Sequence, residues 1–164
     1  MLGDEIWVPI KALLPMVDPN DIVLDGWDVS SMDLGNAMKR AEVLDIQLQN
    51  CLFREMSTLK PRRSVFDLNF IAPNQLERAD NVIGGNKWDQ IEQIRGDIRD
   101  FKKKSGVDKV IILWTANTER FCAEKPGLND TWESLKKSLK ENRAEISPST
   151  MFAVASILEK VSQK

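Results

Sequence analysis

The chain has 164 residues, a length that suits one domain with a hydrophobic core of its own. Its 23 basic and 25 acidic residues leave a net charge of −2, which gives no electrostatic attraction to nucleic acid or to an anionic membrane. The composition contains no His and no Tyr. It therefore excludes an imidazole base, a His-containing metal site and the Tyr/Lys pair of short-chain reductases.

The two cysteines and the N-terminus bear on location. Cys51 and Cys122 lie far apart and form no CxxC motif, which fits a reduced protein better than a disulfide framework. No apolar run approaches the roughly 18 residues of a membrane span, and the first residues are not typical of a secretory signal. We expect a cytoplasmic protein with neither a nucleic acid nor a membrane partner.

The first quarter of the chain predicts a strand between two short segments. Residues 6–10 read as extended, and residues 18–20 are typical of a turn. The apolar run at residues 21–25 is interpreted as a buried strand that a loop closes at Gly26.

Two helices and a long loop are predicted next. Ser30 or Ser31 is the expected N-cap of the first helix, which runs to Ala41. The second helix carries apolar side chains at Leu44, Ile46, Leu48 and Leu52. Residues 57–82 contain several Pro and Asn residues, so we expect a long irregular connection there.

The second half predicts three helices and one strand. Apolar residues recur at steps of three and four from Trp88 to Phe101, which indicates an amphipathic helix. Residues 109–114 are apolar after Lys109, as in parallel strands that are covered on both faces. Asn129-Asp130 is the expected cap of the next helix, and Pro148 lies at a favoured early position of the last.

The alternation of strands and helices favours an α/β fold with a parallel sheet. The glycine-rich phosphate loop G-x-G-x-x-G does not occur in the sequence. The pair Gly84-Gly85 has neither the spacing of that motif nor a predicted strand before it.

Asp28 is the first candidate site residue, since it comes just after the predicted strand at residues 21–25. A carboxylate at the carboxyl end of such a strand accepts hydrogen bonds from the adenosine ribose, and it favours NAD over NADP because it repels a 2′-phosphate. The alternative interpretation is an ordinary turn or cap residue.

Two further stretches are candidates. The strand ending at Trp114 is followed by small and hydroxyl residues, which expose polar groups at the edge where open α/β sheets bind ligands, although a helix-capping turn fits them equally well. In the irregular loop, Ser64, Gln75 and Arg78 are polar, and such an Arg either pairs with a pyrophosphate or is simply solvated.

The stretch Leu-Trp-Thr-Ala-Asn-Thr-Glu-Arg-Phe at residues 113–121 resembles a signature of the eukaryotic inositol-3-phosphate synthases. Four collinear stretches are similar to the same family, at residues 14–21, 26–30, 67–81 and 145–150. The resemblance covers nearly the whole chain. It implies a Rossmann-like NAD-binding domain, and an enzyme family that converts glucose 6-phosphate to inositol phosphate with NAD reduced and regenerated within each turnover.

The resemblance also implies roles for individual residues. Asp28 matches the ribose-binding carboxylate, and the other cofactor contacts match Ser64, Val65, Gln75, Arg78, Thr115, Ala116, Asn117 and Thr118. No residue matches a catalytic lysine of the family, and none matches a metal ligand. Pro73 stands where the family usually has Ala.

Relative to the family, the first strand, the glycine loop and the region of catalysis and tetramer formation are missing from these 164 residues. We therefore expect a partial NAD-binding domain over residues 1–164 that is inactive by itself. The alternative is a non-catalytic form that associates with full-length synthase subunits.

Overall fold

The structure is a computed structural model, and it describes residues 7–116 and 119–163. Within these ranges the chain forms six α-helices and four short strands. The helices are α1 (Ile10–Leu13), α2 (Leu34–Ala41), α3 (Ile46–Met56), α4 (Lys87–Ser105), α5 (Trp132–Lys140) and α6 (Pro148–Leu158). The strands are β1 (Trp27–Asp28), β2 (Arg62–Arg63), β3 (Ile111–Ile112) and β4 (Ser162–Gln163), and 3₁₀ helices span Pro19–Asp21 and Pro73–Arg78.

All of the strand pairing between these elements is parallel, as the alternation of strands and helices predicts. β1 pairs with β2, and Asp28 lies in register with Arg63. Ser64, the residue after β2, forms a parallel bridge with Val82, which adds a third chain segment beside this sheet. β3 pairs with β4 in a second sheet.

Helix α4 confirms the amphipathic pattern. Asn86 caps it and forms a reciprocal capping box with Asp89, which satisfies two backbone N–H groups of the first turn. Its apolar face buries Ile91, Ile94 and Ile98. Gly106 follows the last residue of the helix as its C-cap, and its φ of 66° is a left-handed conformation that glycine adopts at low cost.

Helix α6 packs against α4 and supplies the centre of the core. It begins at Pro148, as predicted, and Ser147 caps it by accepting a hydrogen bond from the Thr150 backbone N–H. The Phe152 ring is 2% exposed and lies 5.2 Å from the ring of Trp27 and 5.2 Å from the ring of Trp114. One aromatic side chain therefore packs beneath both sheets.

Two predicted caps are wrong. Asp33, rather than Ser30 or Ser31, caps α2 through its carboxylate and the Asn36 backbone N–H. Thr131, rather than Asn129-Asp130, caps α5. Several residues with equivalent capping chemistry lie next to each other here, and the backbone path decides which of them starts the helix.

The predicted burial of two strands is also wrong. Residues 22–25 form no strand, and the side chains of Ile22, Val23 and Leu24 are about half or more exposed. In the run 109–114 only β3 is a strand, and Ile112 is buried while Ile111 is 66% exposed. The physical reason is that no described element covers these faces.

Part of the N-terminal prediction also fails. Ile10 begins α1 instead of ending an extended segment, while Ile6 lies outside the described residues. The turn at residues 18–20 is confirmed as a 3₁₀ helix that Asp18 caps. Among the described residues, no helix combines the length and the apolar character that crossing a membrane requires.

Candidate nucleotide-binding edge

Three parallel segments bring the first candidate residues to one edge. β1 ends at Asp28, β2 continues into Ser64, and Ser64 bridges to Val82. The Asp28 side chain is exposed, and one of its oxygens, Oδ1, accepts a hydrogen bond of 2.8 Å from the Ser30 backbone N–H. Ser64 and Val65 are buried beside it. The structure thus places Asp28, Ser64 and Val65 at the carboxyl ends of neighbouring strands, where open α/β sheets bind ligands.

Asn81 holds this edge together. Its side-chain amide donates to the backbone carbonyls of Asp28, at 3.1 Å, and of Arg62, at 3.0 Å. Its backbone N–H donates to the Val29 carbonyl and its own carbonyl accepts from the Ser64 N–H. Sequence reasoning missed this residue, because its only local signal is an Asn before the short apolar pair Val82-Ile83.

Ionic contacts fix the opposite face of the same sheet. Arg62 pairs with Asp25 at 2.8 Å, with Asp97 at 3.4 Å and with Asp100 at 2.9 Å. The Trp27 indole N–H donates to Asp97 at 2.9 Å. Burial by itself would lower the pKa of Arg62, but the hydrogen bonds that its guanidinium donates to Asp25 and Asp100 outweigh burial and raise that pKa. These contacts anchor β1 and β2 on α4.

Gln75 and Arg78 lie in the 3₁₀ helix that begins at Pro73. The Arg78 guanidinium donates to the Gln75 side-chain oxygen at 3.2 Å. Asp80, two residues after this helix, ties it to the loop after β1, because the hydroxyl and the backbone N–H of Ser31 both donate to the Asp80 carboxylate. These hydrogen bonds lower the pKa of the Asp80 carboxyl. Gln75 and Arg78 thus lie a few residues before Asp80, which is tied to the loop after Asp28. Among the described residues, no hydrogen bond or ion pair joins either of them to Asp28.

Thr115 and Ala116 follow β3 and are exposed. The candidates Asn117 and Thr118 lie outside the described residues. Glu119 then forms an antiparallel bridge with Ile71, two residues before Pro73. Glu119 therefore lies beside the segment that leads into Gln75.

Arg120 and Glu145 form the anchor of that loop. The guanidinium makes two parallel hydrogen bonds to the Glu145 carboxylate, at 2.9 and 3.0 Å, and stacks over the Phe70 ring. The hydrogen bonds from Arg120 outweigh desolvation, with further help from the charges of Arg120 and Lys125, and lower the pKa of Glu145 to about 2. Glu119 accepts from the Ser149 backbone N–H at 2.9 Å, so the loop is also tied to the first turn of α6.

The donor set fits a nucleotide better than a metal ion. Within residues 7–116 and 119–163, no group of three or more His, Cys, Asp or Glu side chains is arranged to hold a metal. Asp28 presents an exposed carboxylate with one oxygen, Oδ2, that accepts no hydrogen bond from a described residue. A ribose hydroxyl is the kind of donor that this oxygen suits.

A parallel sheet with an exposed acidic residue at its carboxyl edge defines an α/β domain of the nucleotide-binding class. The model of an NAD-binding domain, described as Myo-inositol-1-phosphate synthase, matches residues 2–163. The chain belongs to this family, and the cofactor of the family domain is NAD.

Known proteins agree with this assignment. The chain is 60% identical over 157 residues to inositol-3-phosphate synthase 1 of Homo sapiens and 57% identical over 157 residues to inositol-3-phosphate synthase of Drosophila melanogaster. Both alignments cover 96% of this chain and 28% of the relative, so the chain spans less than a third of their length. A crystal structure of inositol-3-phosphate synthase from Caenorhabditis elegans superposes with a TM-score of 0.92 at 46% identity, over 96% of this chain and 31% of that one.

Proposed function

We propose that these residues form part of the NAD site of an inositol-3-phosphate synthase, the enzyme class that converts glucose 6-phosphate to inositol phosphate. The observation that carries the proposal is the exposed Asp28 carboxylate at the carboxyl end of β1, with Oδ1 held by Ser30 and Oδ2 open to a ligand. Family membership supports it. The two free cysteines, Cys51 and Cys122, are compatible with the cytoplasmic location that we propose with it.

Each candidate has a distinct task in this proposal. Asp28 accepts hydrogen bonds from the adenosine ribose, while Ser64 and Val65 border the nucleotide from the next strand. Gln75 and Arg78 contribute a polar amide and a cation for the pyrophosphate. The stretch from Thr115 to Thr118 lines the cofactor from the loop after β3. NAD itself supplies the hydride acceptor when it is bound.

The site is tested by titrating the ¹⁵N-labelled chain with NAD and following its amide resonances. We expect the largest shifts at Asp28, Ser64, Val65, Gln75, Arg78 and Thr115. Asp28→Asn weakens binding, because a neutral amide accepts less strongly from the ribose. Asp108→Asn is the matched control, since Asp108 is exposed and follows the far end of α4. If Asp28→Asn and Asp108→Asn weaken NAD binding equally, the proposed role of Asp28 is contradicted.

We also propose that these 164 residues do not complete the reaction alone, and that catalysis and tetramer formation belong to other parts of the synthase. The small share of the relatives' length that the chain spans supports this. A turnover assay with glucose 6-phosphate and NAD is expected to yield no inositol phosphate. Clear product from the purified chain would refute the proposal.

A second candidate function is association with full-length synthase subunits without catalysis. The observation that favours it is a run of exposed apolar side chains near the N-terminus, at Trp7, Ile10, Leu13, Leu14, Met16 and Val17. A monomeric protein rarely exposes so many neighbouring apolar groups. Co-purification of the tagged chain with an intact synthase would support this function, and its loss when Trp7 and Leu13 are changed to Ser would localise the contact. Absence of co-purification would count against it.

A further inference from the structure

Arg63 is the cross-strand neighbour of Asp28, in a parallel pair that also aligns Trp27 with Arg62. Successive side chains on a strand point to opposite faces, and cross-strand partners share a face. Trp27 and Arg62 both reach Asp97 of α4. Asp28 and Arg63 therefore lie together on the other face of the sheet, away from α4.

The two arginines of β2 differ in their contacts. Arg62 is half-buried and pairs with three carboxylates. Arg63 is exposed, and no described residue forms an ion pair or a side-chain hydrogen bond with its guanidinium. The Asp28 carboxylate beside it is also exposed and makes no ion pair within the described ranges. A cation and an anion are thus both available to a ligand at one position of the edge.

We propose that Arg63 is a specificity-determining residue that lets this edge accept an adenosine ribose carrying a 2′-phosphate. The proposal rests on the proposed function, because Asp28 must face the ribose. Neighbouring strands lie about 4.8 Å apart, so a guanidinium on β2 can reach a phosphate attached to a ribose that Asp28 holds. The phosphate brings about two negative charges, which the Asp28 carboxylate repels and the Arg63 guanidinium attracts.

The consequence concerns the choice between the two forms of the nucleotide. With Asp28 alone, the edge discriminates strongly against the 2′-phosphate. With Arg63 in register beside Asp28, that discrimination is weakened. The relative affinity for the two forms then depends on ionic strength, because both side chains are exposed and salt screens their charges.

The test measures the affinities of adenosine 5′-monophosphate and adenosine 2′,5′-bisphosphate by calorimetry at low salt. The variants are Arg63→Ala, Arg63→Lys and the control Lys103→Ala. Lys103 lies in the last turn of α4, about 24 Å along the helix from its start near the ligand edge, so the control removes one positive charge far from the site. Far-UV circular dichroism checks that all four proteins are folded alike.

We expect Arg63→Ala to lower the affinity for the bisphosphate, relative to the monophosphate, by about tenfold. Lys103→Ala leaves that ratio unchanged. Arg63→Lys keeps part of the relative affinity for the bisphosphate, because lysine retains the positive charge but only as a point charge. A ratio that is the same in the wild type and in Arg63→Ala overturns the assignment, and so does a wild type that does not bind the bisphosphate. An NAD titration of the same sample separates the role of Arg63 from the proposed function. If the chain binds NAD but Arg63→Ala leaves the affinity ratio unchanged, only the role of Arg63 is contradicted. If the chain binds neither NAD nor the adenosine phosphates, the proposed function is contradicted.

Discussion

At the scale of single residues, Asn81 connects β1, β2 and the segment before α4 through its amide and its backbone. Replacement by Ala leaves the carbonyls of Asp28 and Arg62 without this donor. We expect Asn81→Ala to lower the free energy of unfolding by about 1–3 kcal/mol in urea titrations. Asn50→Ala, on an exposed position of α3, is the control and should change it by less than about 0.5 kcal/mol. Equal effects would mean that Asn81 does not hold the edge.

The pair of Arg120 and Glu145 predicts a pH dependence. Because the pKa of Glu145 is lowered from 4.5 to about 2 in the folded chain, the pair stabilises the fold above pH 4.5 and loses that effect as the pH falls from 4.5 towards 2. Thermal melts should show Glu145→Gln less stable than the wild type at pH 6, with the gap narrowing at pH 2.5. Glu124→Gln, an exposed control, should show no gap at either pH. A gap for Glu145→Gln that stays constant with pH would contradict the assignment.

Part of the candidate site was predictable at this scale. An acidic residue shortly after an apolar run pointed to Asp28 as a candidate, although the strand that it ends is β1 (Trp27–Asp28) and not the strand predicted at residues 21–25. The roles of Asn81 and Arg62 depend on partners 19 to 53 residues away. No local period or motif marks contacts of that kind.

At the scale of elements, α6 is the helix on which both sheets depend. Phe152→Ala opens a cavity between Trp27 and Trp114, and we expect it to cost about 3–5 kcal/mol in urea unfolding. Ile157 lies on the same helix but is 72% exposed, so Ile157→Ala should cost less than about 0.5 kcal/mol. Similar losses for the two variants would mean that the aromatic contact does not support the core.

The helices were more predictable than the strands for a physical reason. The spacing of Trp88, Ile91, Ile94 and Ile98 defines a face of α4 without reference to the rest of the chain, and Pro148 marks the start of α6. The caps were less certain because Ser30, Ser31 and Asp33 have similar capping chemistry. A strand is defined by the partner that it pairs with, which lies elsewhere in the sequence.

At the scale of the whole molecule, burial could not be read from apolar content. Residues 22–24 and Ile111 have the composition of a buried strand and are nevertheless exposed. The parallel order and the fold class were predictable, because alternating strands and helices permit few topologies. Which faces are covered depends on the full set of packed elements.

The central claim is that these residues fold and bind NAD, and a thermal melt with and without millimolar NAD tests it most directly. A ligand that binds only the folded state raises its melting temperature, and we predict one cooperative transition that shifts upward with NAD concentration. The shift should be lost in Asp28→Ala. A cooperative transition that NAD does not move, or a melt without cooperativity, would contradict the account.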